Sequence, residues 1–208
     1  MSRVAVVRPG GNGAAGTLHS WGQKVVNDVG SSSPTHTLNA DLDTQVAAHR
    51  LAVEGEMQSC RAVFFFGEGD WACLYNGTTP VVDTGNVARA FGHLLVAIAC
   101  KSAHMLGNDA INRHRVEGYL GFDEDLGWTT GHRRDLWGMA FTIGISDMLS
   151  KGATLDEAAN AMRDELERVV HYFKFGIGRT DPNAQLAYLW ASWDRGHLMV
   201  VGNRAATL

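Results

Sequence analysis

Short apolar runs alternate along the chain with longer segments in which apolar residues recur every three or four positions. The short runs predict strands, and the longer segments predict helices. The predicted strands of the main sheet are residues 4–7, 35–38, 61–66, 94–99, 117–122 and 197–201. The predicted helices are residues 17–29, 43–57, 102–114, 138–149, 154–173 and 183–193. This alternation predicts an α/β fold.

The run at residues 61–66, RAVFFF, has no polar alternation after Arg61. That composition is typical of a central strand that is covered on both faces. The pattern shows neither an internal repeat nor a linker. We therefore expect a single domain over residues 1–208, a three-layer sandwich whose mostly parallel, six-stranded sheet has helices on both faces.

A small antiparallel segment interrupts the alternation of strands and helices. Asn76 and Gly77 form a two-residue turn signal between apolar residues 71–75 and 80–82. Such a signal predicts a β-hairpin.

Two helix starts carry capping signals. Thr154 and Glu157 have the spacing of a capping box, in which each side chain bonds the other's backbone N–H. Asp181 followed by Pro182 predicts the N-cap and the first helical position of the last helix.

Composition excludes several classes of function. The 208 residues carry a net charge of −4 without a run of basic residues, so we expect no nucleic-acid partner held through its phosphates. The longest apolar run, residues 94–100, is too short to span a bilayer, and the N-terminus lacks a signal-peptide pattern. These features predict a cytoplasmic protein with no membrane partner, and they leave the oligomeric state open.

The cysteines Cys60, Cys73 and Cys100 are odd in number and have no CxxC spacing. This argues against a disulfide framework and against a zinc site, and at least one thiol must be free. No histidine pairs with a carboxylate or cysteine at metal-binding spacing. We expect no metal and no cofactor.

The first strand is followed by the glycines Gly11, Gly13 and Gly16, which make a formal GxGxxG between a strand and a helix. Residues 8–10 separate the strand from this motif, and Asp41 is the sole candidate for the acidic residue expected after the second strand. Three explanations stay open: a flexible connection, a cradle for a nucleotide or anionic regulator, and an NAD-dependent oxidoreductase, which ranks last.

Polar residues follow two buried strands at the carboxyl edge of the predicted sheet, where parallel sheets carry their catalytic and binding residues. Glu68, Gly69 and Asp70 follow one strand, and Cys100 with Lys101 follows the next. A cysteine that closes a buried strand is often an inert core thiol. Here it stands at a strand-to-helix junction, where helix amides and the charge of Lys101 favour the thiolate. Cys100 is therefore a candidate nucleophile.

Four segments between residues 61 and 126 resemble the caspase-like cysteine peptidases of clan CD, especially the small bacterial members. They are RAVFFFGEGD, VVDTGNVARAF, LLVAIACKSAHMLGNDAI and GYLGFDEDL. In that family one strand ends in a catalytic histidine within a Gly-His-Gly turn, and the next ends in an Ala-Cys-x-Ser segment whose cysteine is the nucleophile. The first strand and the closing HLMVVGNRAATL fit more loosely.

The resemblance implies the caspase-type sandwich with Cys100 as nucleophile. It also implies an oxyanion hole built from the backbone N–H groups of Gly69 and Cys100. The implied substrate is a peptide or protein. Bacterial members often act as defence effectors that a small molecule or a protein partner activates.

Glu68 stands where the family has its catalytic histidine. A carboxylate close to a thiol raises the thiol pKa, and it is a poor acid at pH 7. We therefore expect an inactive or attenuated peptidase. Three explanations stay open: a natural pseudo-peptidase, an engineered substitution that silences catalysis, or an enzyme that recruits another histidine. A pseudo-peptidase could bind a nucleotide or anionic regulator through the glycine loop.

Few histidines could replace the missing one. His104 is four residues beyond Cys100 and is the nearest candidate, whereas His93 precedes its strand and should lie at the opposite end of the sheet. The other histidines weighed are expected to be solvated or in the core: His114, His132 and His197.

Specificity has two competing predictions. An arginine after the first strand selects acidic substrates in part of this family, and Arg8 holds that place. Acidic residues select Arg or Lys in other branches, and three lie at this edge: Asp70, Asp123 and Asp125. A solvated loop explains the acidic run equally well. Trp71 and Trp128 lie on loops at the same edge and either wall a cleft or pack in the core.

Overall fold

The computed structural model describes residues 2–31, 36–42, 49–132 and 135–208. Its strands are β1 (Ser2–Val7), β2 (His36–Leu42), β3 (Ala62–Phe66), β4 (Glu68–Gly69), β5 (Cys73–Asn76), β6 (Thr79–Asp83), β7 (Leu94–Ile98), β8 (Gly118–Phe122) and β9 (Leu198–Gly202). Its α-helices are α1 (Ala14–Ser31), α2 (His49–Ser59), α3 (Asn108–Asn112), α4 (Leu136–Lys151), α5 (Leu155–Lys174) and α6 (Ala184–His197). Shorter elements are the 3₁₀ helices Val87–Ala90 and Ile177–Thr180 and the π-helical turn Ala103–Gly107.

The main sheet has six strands in the order β2-β1-β3-β7-β8-β9. All neighbours in it are parallel except β8 and β9, which run antiparallel. Helices cover both faces, so the predicted α/β three-layer sandwich is confirmed. The predicted hairpin is confirmed as β5 and β6, and β4 adds a third antiparallel strand to it.

Alternation along β3 explains why its sequence is apolar throughout. Phe64 and Phe66 belong to the core that packs against α1, α4, α5 and α6, whereas Val63 and Phe65 belong to the core on the α2 side. All four side chains are buried. A strand between two cores has no solvent face on which to place polar residues.

The segment predicted as one helix over residues 102–114 is instead a π-helical turn followed by the short α3. The backbone N–H of Leu106 donates to the carbonyl of Trp71 at 2.8 Å, so it does not close a regular α-helical bond. Gly107 N–H then bonds the Ser102 carbonyl five residues earlier, at 3.1 Å. The helix predicted over residues 43–57 appears as α2, and residues 43–48 lie outside the described residues.

One predicted helix cap is confirmed and one is wrong. Thr154 and Glu157 form the expected capping box at the start of α5. The N-cap of α6 is Asn183 rather than Asp181. Asp181 Oδ1 accepts a hydrogen bond from the Asn183 backbone N–H at 2.8 Å, which makes a local turn before the helix.

Candidate functional site

The ends of β3 and β7 meet at the carboxyl edge of the sheet. Gly67 N–H donates to the Ile98 carbonyl at 3.3 Å. Glu68 follows this contact on the β3 side, and Cys100 follows it on the β7 side. A Cβ atom added at Gly69 would lie 2.7 Å from the carbonyl oxygen of Cys100. The structure thus brings Glu68, Gly69 and Cys100 together, and Gly69 has no room for a side chain.

The Cys100 thiol lies partly buried in a negatively charged environment. Its pKa is raised to about 11. Burial is the largest cause, and the nearby carboxylates of Asp125, Glu68 and Asp194 contribute to the same shift. The backbone N–H of Leu126 contacts Sγ at 3.3 Å and opposes this shift. With a pKa of about 11, roughly one thiol in ten thousand is ionised at pH 7.

The prediction that Lys101 and a following helix would favour the thiolate is wrong, because the thiol pKa is raised. Lys101 Nζ pairs with Asp125 at 2.8 Å, so its charge is already matched by a carboxylate. Its backbone has φ 54°, in the left-handed region, and its N–H bonds the Glu124 carbonyl at 3.0 Å. The segment that follows opens with the π-helical turn rather than an α-helix.

Within the described residues, the largest causes of the shifted pKa of Cys100 are burial, the Leu126 N–H and three carboxylates rather than a histidine. His104 is exposed and packs against Trp71, with ring centroids 4.6 Å apart and an angle of 55° between the ring planes. His93 lies before β7, at the opposite end of the sheet as predicted, and its Nδ1 lies 2.8 Å from the Met57 carbonyl oxygen. The structure gives no support to a histidine recruited by Cys100.

Arg8, the candidate for acidic specificity, is 4% exposed and lies under α1. A Cβ added at Gly22 of α1 would lie 2.9 Å from Arg8 Cβ, which shows how closely the helix crosses it. Its Nη1 lies 2.7 Å from His19 Nε2. Arg8 is therefore part of the packing between β1 and α1.

Asp70 holds the turn that enters β5. Its Oδ1 accepts hydrogen bonds from the backbone N–H groups of Ala72 and Cys73, and its Oδ2 accepts one from the Tyr75 hydroxyl at 2.6 Å. Burial by itself would raise the pKa of Asp70, but these hydrogen bonds outweigh it and lower the pKa. The Asp70 carboxylate therefore stabilises this turn through three accepted hydrogen bonds.

The acidic run after β8 is tied to the last helix. Asp123 Oδ1 lies 2.8 Å from His197 Nδ1, and the His197 ring packs against Trp193 with ring centroids 4.2 Å apart. Trp193 Nε1 donates to the carbonyl of Asp125 at 3.0 Å. Asp123 and Asp125 thus have partners on α6 and at Lys101, and the Asp125 side chain is 56% exposed, as expected of a solvated loop.

Asp194 is a site residue that sequence reasoning missed. It is fully buried on α6, its Oδ1 accepts the backbone N–H of Gly127 at 3.1 Å, and its Oδ2 has no hydrogen-bond partner among the described residues. Burial raises its pKa well above the usual range. Gly127 follows Leu126, whose N–H contacts the Cys100 thiol, so Asp194 supports the loop beneath that thiol.

A sequence signal for Asp194 does exist. It continues the buried face of α6 that Ala184, Ala187 and Ala191 form at helical spacing. A charged residue on an otherwise apolar helix face is costly unless it has a partner, and so it marks a special position.

The glycine loop before α1 folds back on itself. Gly13 has φ 62°, a Cβ at Gly11 would lie 2.8 Å from Ala15 Cβ, and a Cβ at Gly16 would lie 2.7 Å from the Gly11 carbonyl oxygen. These close approaches explain the glycines without a ligand. The regulator-binding alternative stays a prediction.

The described residues form neither a membrane-spanning helix nor a metal-binding cluster. Within them, no helix has both the length and the apolar character needed to cross a membrane. In the same ranges, no group of three or more His, Cys, Asp or Glu side chains is placed to hold a metal ion.

Comparison with protein-family models finds no match, and comparison with curated proteins finds none. Among solved structures, the chain is similar to one described as "Structure of Protease", with a TM-score of 0.58 and 12% sequence identity. The match covers 99% of this chain and 48% of the other, so this chain spans about half of that protein's length. At this identity the similarity shows a shared fold.

Proposed function

We propose that this chain is a caspase-like cysteine peptidase domain in which Cys100 is the nucleophile and Glu68 silences or attenuates catalysis. The contact between the two strand ends carries the proposal, because Gly69 lies directly against the Cys100 carbonyl. The four sequence segments and the fold shared with a protease support it.

The chemistry of this proposal is acyl transfer through a thioester. The thiolate forms a bond to the peptide carbonyl carbon, the N–H groups of Gly69 and Cys100 stabilise the oxyanion, and the amine leaves with a proton. That proton must come from the group at position 68. A glutamate there favours the neutral thiol and is a poor proton donor at pH 7.

The family resemblance also supplies the finer parts of the proposal. We place this domain among cytoplasmic, signal-activated bacterial defence effectors that act on a peptide or protein substrate. A small molecule or a protein would supply the activating signal. In the pseudo-peptidase alternative, the same fold binds such a regulator without cleaving anything.

The test is restoration of the missing histidine. We expect Glu68→His to cleave members of a fluorogenic peptide library that carries acidic and basic residues before the scissile bond. Adding Cys100→Ala should abolish that cleavage. Glu68→Gln is the matched control, since it removes the charge without supplying a base and should cleave nothing.

A Glu68→His protein that keeps the parent's thermal midpoint, cleaves no peptide and leaves Cys100 as slow toward iodoacetamide as Cys73 would overturn the peptidase proposal. Cleavage that persists after Cys100→Ala would overturn the choice of nucleophile.

A further inference from the structure

A second polar cluster lies in the loop after β8, away from the Cys100 thiol. This loop and the first half of α1 line a cavity of about 230 Å³. Its walls include Trp21, Trp128, Trp137, Thr129, His132 and Asp135. The rings of Trp21 and Trp128 meet edge to face, with centroids 5.3 Å apart. The cavity therefore combines aromatic walls with a few polar groups, as ligand sites do.

Three of the polar groups form a hydroxyl–imidazole–carboxylate relay. Thr129 Oγ1 lies 2.7 Å from His132 Nε2, and His132 Nδ1 lies 3.1 Å from Asp181 Oδ2. The other oxygen of Asp181 accepts the N–H of Asn183, which fixes the carboxylate. An ionised carboxylate only accepts hydrogen bonds, so it places the imidazole proton on Nδ1 and leaves Nε2 to accept the Thr129 proton.

Two of the three relay groups are largely shielded from bulk water, whereas the Asp181 side chain is 27% exposed. Thr129 is 8% exposed and the side chain of His132 is 8% exposed, yet both line the cavity. The His132 ring also packs against Phe173, with centroids 4.8 Å apart. Electrostatic interactions among preorganised groups are stronger in such a water-poor site than in bulk solvent.

We propose that Thr129, His132 and Asp181 form a second hydrolytic site, with the Thr129 hydroxyl as nucleophile toward short, uncharged acyl esters that enter this cavity. The volume is below that of pockets for drug-sized ligands, which favours a short acyl chain. The indole walls favour an apolar one, and the carboxylate of Asp135 disfavours an anion. This site is independent of Cys100.

The reaction consumes an ester and water and releases an acid and an alcohol. Thr129 Oγ1 forms a bond to the acyl carbon while its proton passes to His132 Nε2, and Asp181 stabilises the imidazolium that forms. The ester C–O bond then breaks, and the alcohol leaves with the proton from His132. Water attacks the acyl-threonine with His132 again as base, which regenerates Thr129.

The assay uses p-nitrophenyl acetate with the full-length chain in a Cys100→Ala background, so that this thiol cannot accept the acetyl group. We expect hydrolysis at least tenfold above that of Thr129→Val, which keeps the shape of the side chain and loses the hydroxyl. Thr129→Ser keeps the hydroxyl and should keep the activity. Peptide mapping of the trapped intermediate should find acetyl on Thr129.

Two further variants separate catalysis from a structural role. Asp181→Asn should lower the rate about tenfold or more, because an amide can hold the wrong imidazole tautomer. His132→Gln removes the base while keeping hydrogen-bonding groups, and it should lower kcat more than it raises KM. A structural network alone would change the thermal midpoint without this split.

Equal rates for the Thr129→Val and parent proteins would overturn the proposal, as would acetyl found only on other residues. If Thr129→Val fails to fold, the mapping of acetyl in the unsubstituted Thr129 protein decides the question without any variant at that position. Failure here would leave the Glu68→His test of the peptidase site untouched, because the two assays follow different nucleophiles.

Discussion

The Cys100 region and the Thr129 cavity share one loop after β8, yet they place their carboxylates in opposite relations to the nucleophile. At Cys100 the carboxylates of Asp125, Glu68 and Asp194 raise the thiol pKa. At the cavity, Asp181 lies behind the imidazole of His132 and orients it. In the proposed Thr129 site the carboxylate orients a base, whereas near Cys100 the carboxylates act directly on the thiol and disfavour the thiolate.

The largest expected effect is the pH dependence of thiol alkylation. Because the pKa of Cys100 is raised to about 11, its iodoacetamide rate should rise about tenfold per pH unit above pH 7 and level off near pH 11. Peptide mapping by mass spectrometry measures this rate for each cysteine. Removing one negative charge with Glu68→Gln should raise the rate at pH 7 by about threefold to tenfold.

A Cys100 profile that levels off near pH 8 would show that the carboxylates do not govern this thiol, and the contrast with the cavity would fail.

Gly69→Ala should destabilise the fold by about 1 to 3 kcal/mol, because the new Cβ would lie 2.7 Å from the Cys100 carbonyl oxygen. Chemical denaturation measures the change. Gly55→Ala is the matched control, since a Cβ there would meet nothing within 4 Å and α2 should be neutral or slightly more stable. Ester hydrolysis at Thr129 should survive Gly69→Ala in folded protein, which would separate the two regions.

Asp194 should make stability depend on pH. Because burial raises its pKa, the folded chain keeps a proton that the unfolded chain releases above about pH 4. Its contribution is therefore fully present below pH 4 and is lost as pH rises through the folded pKa. Asp194→Asn cannot ionise and can still accept the Gly127 N–H. We expect it to be more stable than the parent at pH 8 and equally stable at pH 4.

Thermal midpoints at the two pH values measure this difference. A parent and an Asp194→Asn variant that respond identically to pH would contradict a protonated, buried Asp194. Asp194→Ala should be the less stable variant at both pH values, because it leaves the buried Gly127 N–H without an acceptor.

The smallest effect is expected on the cavity wall. Trp21 Nε1 donates to Asp135 Oδ2 at 2.8 Å, and Asp135 also caps α4. Trp21→Phe should cost about 0.5 to 1.5 kcal/mol for the lost hydrogen bond, beyond any change in packing. Denaturation should show this loss while Cys100 alkylation stays at the parent rate. A changed alkylation rate would mean that the cavity wall and the thiol are not separate.

Periodicity and strand-end position predicted the parts of the molecule that depend on local pattern. The apolar RAVFFF run predicted the central strand β3, and the place of polar residues at the ends of two buried strands predicted that residues after β3 and β7 would meet. Both follow from the geometry of a parallel sheet, in which strand ends share an edge.

Contacts between distant segments escaped the sequence analysis. Lys101 was expected to favour the thiolate, but the loop after β8 supplies Asp125 as its partner. Asp181 was assigned to a helix cap, whereas one of its oxygens faces His132, 49 residues earlier. Side-chain pairs of this kind depend on how loops pack over the sheet, and no spacing along the chain records them.

The position of α6 and β9 in the chain has a consequence during synthesis. Asp194 and Trp193 hydrogen-bond the loop that contacts Cys100, and β9 forms the edge of the sheet next to β8. All of these come late, after the ribosome has already made Cys100 and β8, so the buried environment of the thiol cannot assemble earlier. The surroundings that raise the pKa of Cys100 are therefore complete only after the last helix and strand have formed.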